Sequence, residues 1–211
     1  MVEREEINTF CRYTKVSRET LISLKKFEEK LIISNKKLNL IGKSTLRNIW
    51  DRHFLDSAQV IDFIDKNFSI LIDLGSGAGF PGLIISILAK QRELPLKIKL
   101  IEKSPKKAKF LKNIIEEFNL DAEVINKNIY EESELMPGDV FVARAFKPLP
   151  KIFELMHRNN EKWKKIIVFL GKTGKEELIQ ASKVWDIEYK ERVSITSKDS
   201  IILEISKLKK V

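Results

Sequence analysis

Asp73-Leu74-Gly75-Ser76-Gly77-Ala78-Gly79-Phe80-Pro81-Gly82 decides how the rest of this 211-residue chain is read. Ahead of it Ile70-Leu71-Ile72 is a short apolar run, and behind it Leu83 to Lys90 reads as a helix. Glycine at a strand-to-helix turn lets the backbone bend tightly and approach a ligand with no Cβ in the way. Ligands of open α/β sheets bind at the carboxyl ends of the strands, where this loop stands.

The pattern repeats downstream. Lys97 to Ile101 is the next strand, and Ser104-Pro105 places an N-cap residue ahead of a proline at the first helical position. Ala108, Leu111, Ile115 and Phe118 line the inner face of that helix. Further strands are expected at Glu123 to Ile125, Val140 to Ala143, Ile166 to Leu170, Ile187 to Ile195 and Ile201 to Ile205. Apolar strands alternating with helices predict a mostly parallel sheet covered on both faces. The last two strands have too short a connection for a crossover, so they pair antiparallel. Upstream, residues 1–68 read as helical. Ser17 caps a helix from Arg18 towards Ser34 with Leu21, Leu24, Phe27 and Leu31 on one face. Leu46, Ile49, Trp50, Phe54, Leu55 and Val60 mark a second amphipathic segment. No Gly- or Pro-rich linker divides the chain, so residues 1–68 are an extension of a 69–211 core within one unit.

Composition bounds the function. A chain that is 43% hydrophobic can build a core. The single cysteine, Cys11, excludes an internal disulfide framework and points to a reducing, cytoplasmic setting. Met1-Val2-Glu3-Arg4-Glu5-Glu6 is not a signal peptide, and the longest apolar stretch, Leu83 to Ala89, is too short to cross a bilayer. With 39 Lys+Arg against 30 Asp+Glu the net charge is +9. Such an excess favours polyanionic partners, although a lysine-rich proteome yields the same figure with no partner at all.

The loop departs from nucleotide fingerprints. Its glycines stand at 75, 77 and 79 with Phe80 at the third-glycine position of G-x-G-x-x-G, and no Gly-Lys-Ser/Thr follows. Asp73 directly ahead of it repels a pyrophosphate and suits a ligand with an ammonium group. S-adenosylmethionine has an amino acid end, a sulfonium and no phosphate. Glu102, ending the second strand, is placed to accept hydrogen bonds from both ribose hydroxyls. The bland alternative is a glutamate facing solvent.

The chain resembles the glucose-inhibited division protein B family, the small-subunit (16S) ribosomal RNA guanine-N7 methyltransferases. The matching residues are Asn35 with Asn39-Leu40, Arg52-His53-Phe54-Leu55-Asp56-Ser57, the loop ending in Pro81-Gly82, and Ala143-Arg144-Ala145-Phe146. Departures are Glu102-Lys103 for the family's Asp-Ser, Leu170-Gly171-Lys172 for Leu-Lys-Gly, and Ser34 for a tryptophan. The resemblance implies an α/β class I, Rossmann-like methyltransferase with a seven-stranded, mostly parallel sheet and one antiparallel strand. It implies contacts to S-adenosylmethionine from Gly75, Phe80, Ile129, Tyr130 and Arg144; Gly77 and Glu102 complete the expected cofactor set. Arg144 can clamp a carboxylate or an RNA phosphate through its planar fork, or serve structurally beside an acid.

N7 of guanine carries an in-plane lone pair and attacks an activated methyl directly. No catalytic base and no metal are therefore expected, and orientation of two bound reactants is the main contribution. N7 lies in the deep groove of an RNA helix, so the target base belongs to an open loop. His53 is read as structural or RNA-positioning and His157 as surface. Lys103, Lys106, Lys107, Lys109 and Lys112, with Lys36, Lys37 and Lys43, are candidates for a phosphate-binding rim; a solvated helix face explains them equally well. The expected partner is 16S ribosomal RNA or the small subunit, bound by a monomer with no membrane contact. Competing readings are a methyltransferase for another RNA, protein or small molecule, a noncatalytic ribosome assembly factor, and a nicotinamide dehydrogenase that Phe80 and Asp73 disfavour.

Overall fold

The computed structural model describes residues 2–132, 136–158 and 163–211. Seven strands are present among them: β1 (Ile70–Leu74), β2 (Lys97–Ile101), β3 (Ala122–Ile125), β4 (Val140–Arg144), β5 (Lys165–Leu170), β6 (Trp185–Ser194) and β7 (Ser197–Lys210). They form one sheet in the order β3-β2-β1-β4-β5-β7-β6. β1 pairs parallel to β2 and β4, β3 runs parallel to β2 and β5 to β4, and β7 alone runs antiparallel, between β5 and β6. The central strands β1, β4 and β5 are apolar because both faces are covered; Val140 through Ala143 are all buried, whereas β6 at the edge is largely exposed. Strand order reverses between β1 and β4, which opens a crevice at their carboxyl ends.

β7 is 14 residues long, well beyond the expected Ile201 to Ile205. Its outer half is held by pairing with β6 while Lys207, Lys209 and Lys210 break the apolar pattern that sequence reading relies on. α4 (Gly82–Gln91) is buried from Gly82 to Ala89, as an all-round apolar helix must be. In α5 (Pro105–Glu117) Ser104 takes the N-cap position, but its side chain makes no capping bond. α6 (Leu149–His157) and α7 (Gly174–Ala181), with weaker signals in the sequence, cover the other face.

At the amino end, α1 (Val2–Thr14) precedes α2 (Arg18–Leu38). The Ser17 hydroxyl accepts from the Thr20 amide, the expected cap, and α2 runs to Leu38, ending on Asn39 in the left-handed region (φ 47°). The second amphipathic segment is not a regular helix. Lys43–Asn48 is 3₁₀, Trp50–Leu55 is π-helical, α3 (Asp56–Ala58) is a single turn and Gln59–Phe63 is again 3₁₀. Trp50, His53 and Phe54 keep the i, i+3, i+4 spacing of one helical face, and the changes of pitch add Leu55 and then Ser57, Ala58, Gln59, Val60 and Ile61 to the buried set. Phe27 stacks on Phe54 (5.5 Å between centroids) and touches Phe80 (5.7 Å) and Phe110 (6.4 Å), so the amino-terminal helices share an aromatic core with the glycine loop and α5.

Candidate cofactor and substrate site

After β1 the loop folds over the end of β2. The Ser76 amide donates to the Ile101 carbonyl (2.9 Å), and the Gly79 and Phe80 amides both donate to the Ser76 carbonyl. Gly75, Gly77 and Gly79 have φ of +70°, +57° and +97°, which L-residues with a Cβ rarely adopt. At Gly75 an added Cβ would lie 2.2 Å from the Phe146 ring, so the close approach there is to a protein side chain. At Gly77 an added Cβ would meet only the Gly75 carbonyl oxygen, at an ordinary 3.8 Å.

Asp73 is fully buried beneath the loop and does not face the cavity. One carboxylate oxygen accepts from the Gly82 amide (3.0 Å), and the other has no partner. Burial pushes its pKa up to about 7, against the lowering effect of the nearby Ser76 hydroxyl and of the Gly82 amide. Glu102, also buried, is gripped by backbone on both sides. Oε2 accepts from the Gly77 amide (2.9 Å) and Oε1 from the Ser104 amide (2.7 Å). Each oxygen keeps one further lone pair for a ligand. The Ser104 amide that an N-cap side chain would have left to water is thus used to aim Glu102.

A cavity of about 660 Å³ lies over this floor. Gly75, Gly77, Phe80, Glu102, Ile129, Tyr130 and Arg144 all line it, as do His53, Lys103 and Lys107. Lys106 and Lys109 do not; they are exposed on the outer face of α5, as Lys112 is. Sequence reading had not assigned Leu40, Ile41, Gly42, Asn128 or Lys147 to the wall. The first three arrive because the Asn35 side chain accepts from the Ile41 amide (2.8 Å), fixing the chain where it leaves α2. The signal for them was the spacing of Asn35 and Asn39. Tyr130 stacks on Phe146 (5.8 Å), with Lys147 Nζ 5.8 Å from its centroid. The Tyr130 hydroxyl is buried without a partner.

Arg144 and His53 form the opposite wall. Arg144 Nε meets Asp56 Oδ2 (3.1 Å), its Nη2 donates to the Arg52 carbonyl and to His53 Nδ1 (3.2 Å), and Nη1 reaches Ser57 Oγ (3.5 Å). Most of the five-donor fork is therefore occupied inside the protein, leaving one Nη1 N–H for a ligand. Arginine only donates, so His53 Nδ1 accepts and its proton sits on Nε2, which donates to Thr45 Oγ1 (2.9 Å). Burial, reinforced by Arg144 and Arg52, drives the His53 pKa down to about 3. A neutral ring stacked on Phe80 (4.9 Å) is a wall element. His157 is exposed beside Trp185.

A second cavity of about 320 Å³ opens at the ends of β4 and β5. It shares Ala145, Phe146 and Lys147 with the first. Ala145 stands at φ +48°, a conformation that turns the chain between the two chambers. Gly171 borders this second cavity, and a Cβ there would meet nothing within 4 Å. Lys172, where the family has glycine, does not take a positive φ, so the Leu170-Gly171-Lys172 departure is accommodated without backbone strain.

The volume of the larger cavity falls in the roughly 300–1,000 Å³ range of small-molecule sites. Its acidic floor, apolar walls and cationic rim fit a zwitterionic nucleoside. Residues 20–205 match the family described as rRNA small subunit methyltransferase G, GidB. A Pelagibacter ubique protein named ribosomal RNA small subunit methyltransferase G is 44% identical over 197 residues, 92% of each chain. One of the same name from Rickettsia akari is 35% identical over 196 residues, 93% of this chain and 98% of its own. Among solved structures, the 16S rRNA methylase RmtB aligns with a TM-score of 0.54 at 14% identity, covering 91% of this chain and 76% of its own. M. capricolum TrmK, solved with S-adenosyl-homocysteine, gives 0.54 at 19% identity over 72% and 67%. At such identities the structures speak for fold alone. Strand order, glycine loop and family match together define an S-adenosylmethionine-dependent methyltransferase of class I. Within that class, the chain belongs to the rRNA small subunit methyltransferase G family.

Proposed function

We propose that the protein methylates N7 of one guanine in 16S ribosomal RNA, acting in the cytoplasm as a monomer on the RNA or the small subunit. The observation that carries this reading is the family match over residues 20–205, supported by what the cavity walls do chemically. His53 is held neutral with both ring nitrogens bonded, so it is not free to take a proton from a substrate, and the lone pairs that Glu102 keeps beyond its two backbone amides go to the cofactor ribose in this reading. A guanine N7 asks for no such removal. Its lone pair forms the new C–N bond as the C–S bond breaks, and the work left to the protein is orientation.

In this reading, S-adenosylmethionine supplies an electrophilic methyl on a sulfonium. Glu102 accepts from its ribose hydroxyls with the lone pairs not used by Gly77 and Ser104. Ile129 and Phe80 wall its base and methionine portions, Tyr130 and Gly75 border the turn, and the free Nη1 hydrogen of Arg144 faces its carboxylate. Lys103 and Lys107, at the rim, hold RNA phosphates, while exposed Lys106 and Lys109 extend that field. No helix among the described residues is long and apolar enough to cross a membrane.

The test offers labelled S-adenosylmethionine and purified protein to 16S RNA and small subunits from cells lacking this activity. The label is then mapped by chemical cleavage at N7-methylguanine. One modified guanine is expected. Cofactor binding with no transfer to any RNA or particle would overturn the proposal.

A further inference from the structure

Methyl transfer to a base demands that the base be seated as well as reached. The second cavity adjoins the first through shared residues, and one residue there has the chemistry to read a base. Glu177, half-buried on α7, lines the chamber bordered by Phe146, Phe169 and Ala145. Its orientation is fixed from two sides: Oε2 accepts from the Leu149 amide (3.0 Å) and Oε1 from the Thr173 hydroxyl (3.2 Å). Each oxygen retains an unused lone pair, and together they make a bidentate acceptor of set direction. The cavity's 320 Å³ suits one unstacked base, with two partly exposed aromatic rings to stack against.

The shape of guanine supplies the rest. Its N7 and its N1–H/N2–H₂ donor pair lie on different edges of the purine. With N7 turned to the larger cavity across the shared Ala145–Phe146 wall, the donor edge turns away from the cofactor, into the smaller chamber. We propose that Glu177 is the specificity-determining residue of this enzyme, accepting from N1–H and N2–H₂ of a guanine seated in the second cavity. Adenine has no N1–H, and presents a lone pair to a carboxylate. Inosine keeps N1–H and lacks the amino group. Lys147, exposed and shared by both chambers, offers a cation for the phosphate of the seated nucleotide.

This reading rests on the guanine-N7 assignment above, and the experiment separates the two. Wild type, Glu177→Gln and Glu177→Ala are compared on 16S RNA carrying guanine or inosine at the target position, with kcat/KM measured for each. Thermal midpoint and S-adenosylhomocysteine affinity are followed alongside. Wild type is expected to favour guanine over inosine by about 10- to 100-fold, the worth of one hydrogen bond to a charged group. Glu177→Gln keeps an oxygen for the Leu149 amide and turns a donor towards a donor. It is expected to lose about 10- to 100-fold in kcat/KM on guanine, to stop distinguishing inosine, and to bind the cofactor product as before. Glu177→Ala likewise loses the preference. Folded variants that keep wild-type discrimination would overturn the role of Glu177 and leave the guanine-N7 assignment standing. A wild type that methylates no RNA would overturn both.

Discussion

Asp73 lies buried beneath the glycine loop and His53 in the cavity wall, and burial moves their pKa values in opposite directions. The Asp73 carboxyl, raised to about 7, binds its proton more tightly folded than unfolded. Its contribution to stability is complete below the unfolded carboxylate range and is lost as pH rises through about 7. Asp73→Asn keeps an acceptor for the Gly82 amide and abolishes the ionisation. The cofactor-free thermal midpoint of the variant, relative to wild type, is therefore expected to be higher at pH 8.5 than at pH 5.5. A constant difference across that range would contradict the assignment. His53, lowered to about 3 by desolvation and by Arg144 and Arg52, has the reverse sign. Its stabilising contribution is present above the unfolded value near 6.5 and disappears as pH falls towards 3. Glutamine at position 53 preserves one acceptor for Arg144 and one donor for Thr45 without titrating. Melting curves of His53→Gln between pH 6.5 and 4 should lose less stability than wild type, and equal losses would count against a buried neutral imidazole.

Three elements meet at Asp56, and no local pattern in the chain announces it. Asp56 Oδ1 accepts from Ser194 Oγ (2.9 Å) and Thr196 Oγ1 (3.0 Å) at the β6–β7 turn and from Gln59 Nε2 (2.9 Å), while Oδ2 holds Arg144 at the end of β4. Both charged side chains are largely buried, at 15% and 13% exposure for Arg144 and Asp56. Removing one partner leaves the other unpaired, which costs more than an exposed pair would. Asp56→Ala is expected to destabilise by about 2–4 kcal/mol and to weaken S-adenosylhomocysteine binding, since Arg144 and His53 lose their anchor. Denaturant midpoints and calorimetric affinities measure the two effects, and a stable variant with full affinity would refute the coupling. The central strands and α4 were legible in the sequence as unbroken apolar runs, and α2 and α5 because their burial follows a period of 3.6. That Gly75, Gly77 and Glu102 would meet at one cavity was legible because glycine spacing and a strand-end carboxylate are local signals. The mixed 3₁₀ and π segment around His53 has no single period to read. The hairpin contacts of Asp56 join residues 138 and 140 positions apart, and the Glu177–Leu149 bond spans 28, so neither cluster exists until the sheet is assembled.

At the scale of the molecule, the +9 net charge gains meaning from where the lysines stand. Parallel strands send their carboxyl ends, and with them both cavities, to one edge of the sheet. Lys103, Lys107 and Lys147 border the larger cavity on that edge, and exposed Lys43 follows Gly42 of its wall. Lys66, just ahead of β1, is exposed at the opposite edge. A general positive charge would attract RNA to any face, whereas a rim at the cavity mouth delivers the substrate to the chemistry. The two arrangements differ in salt dependence, because each phosphate neutralised releases condensed counterions. Lys103→Gln with Lys107→Gln is expected to flatten the log–log dependence of RNA affinity on salt by about 1.5, two contacts at roughly 0.7–0.9 each. Lys66→Gln, equal in charge change per site, should leave the slope alone. Binding isotherms between low and moderate salt decide the matter: equal slopes for rim and opposite-edge variants would mean that the charge acts diffusely, and that recognition of the RNA lies in the cavities themselves.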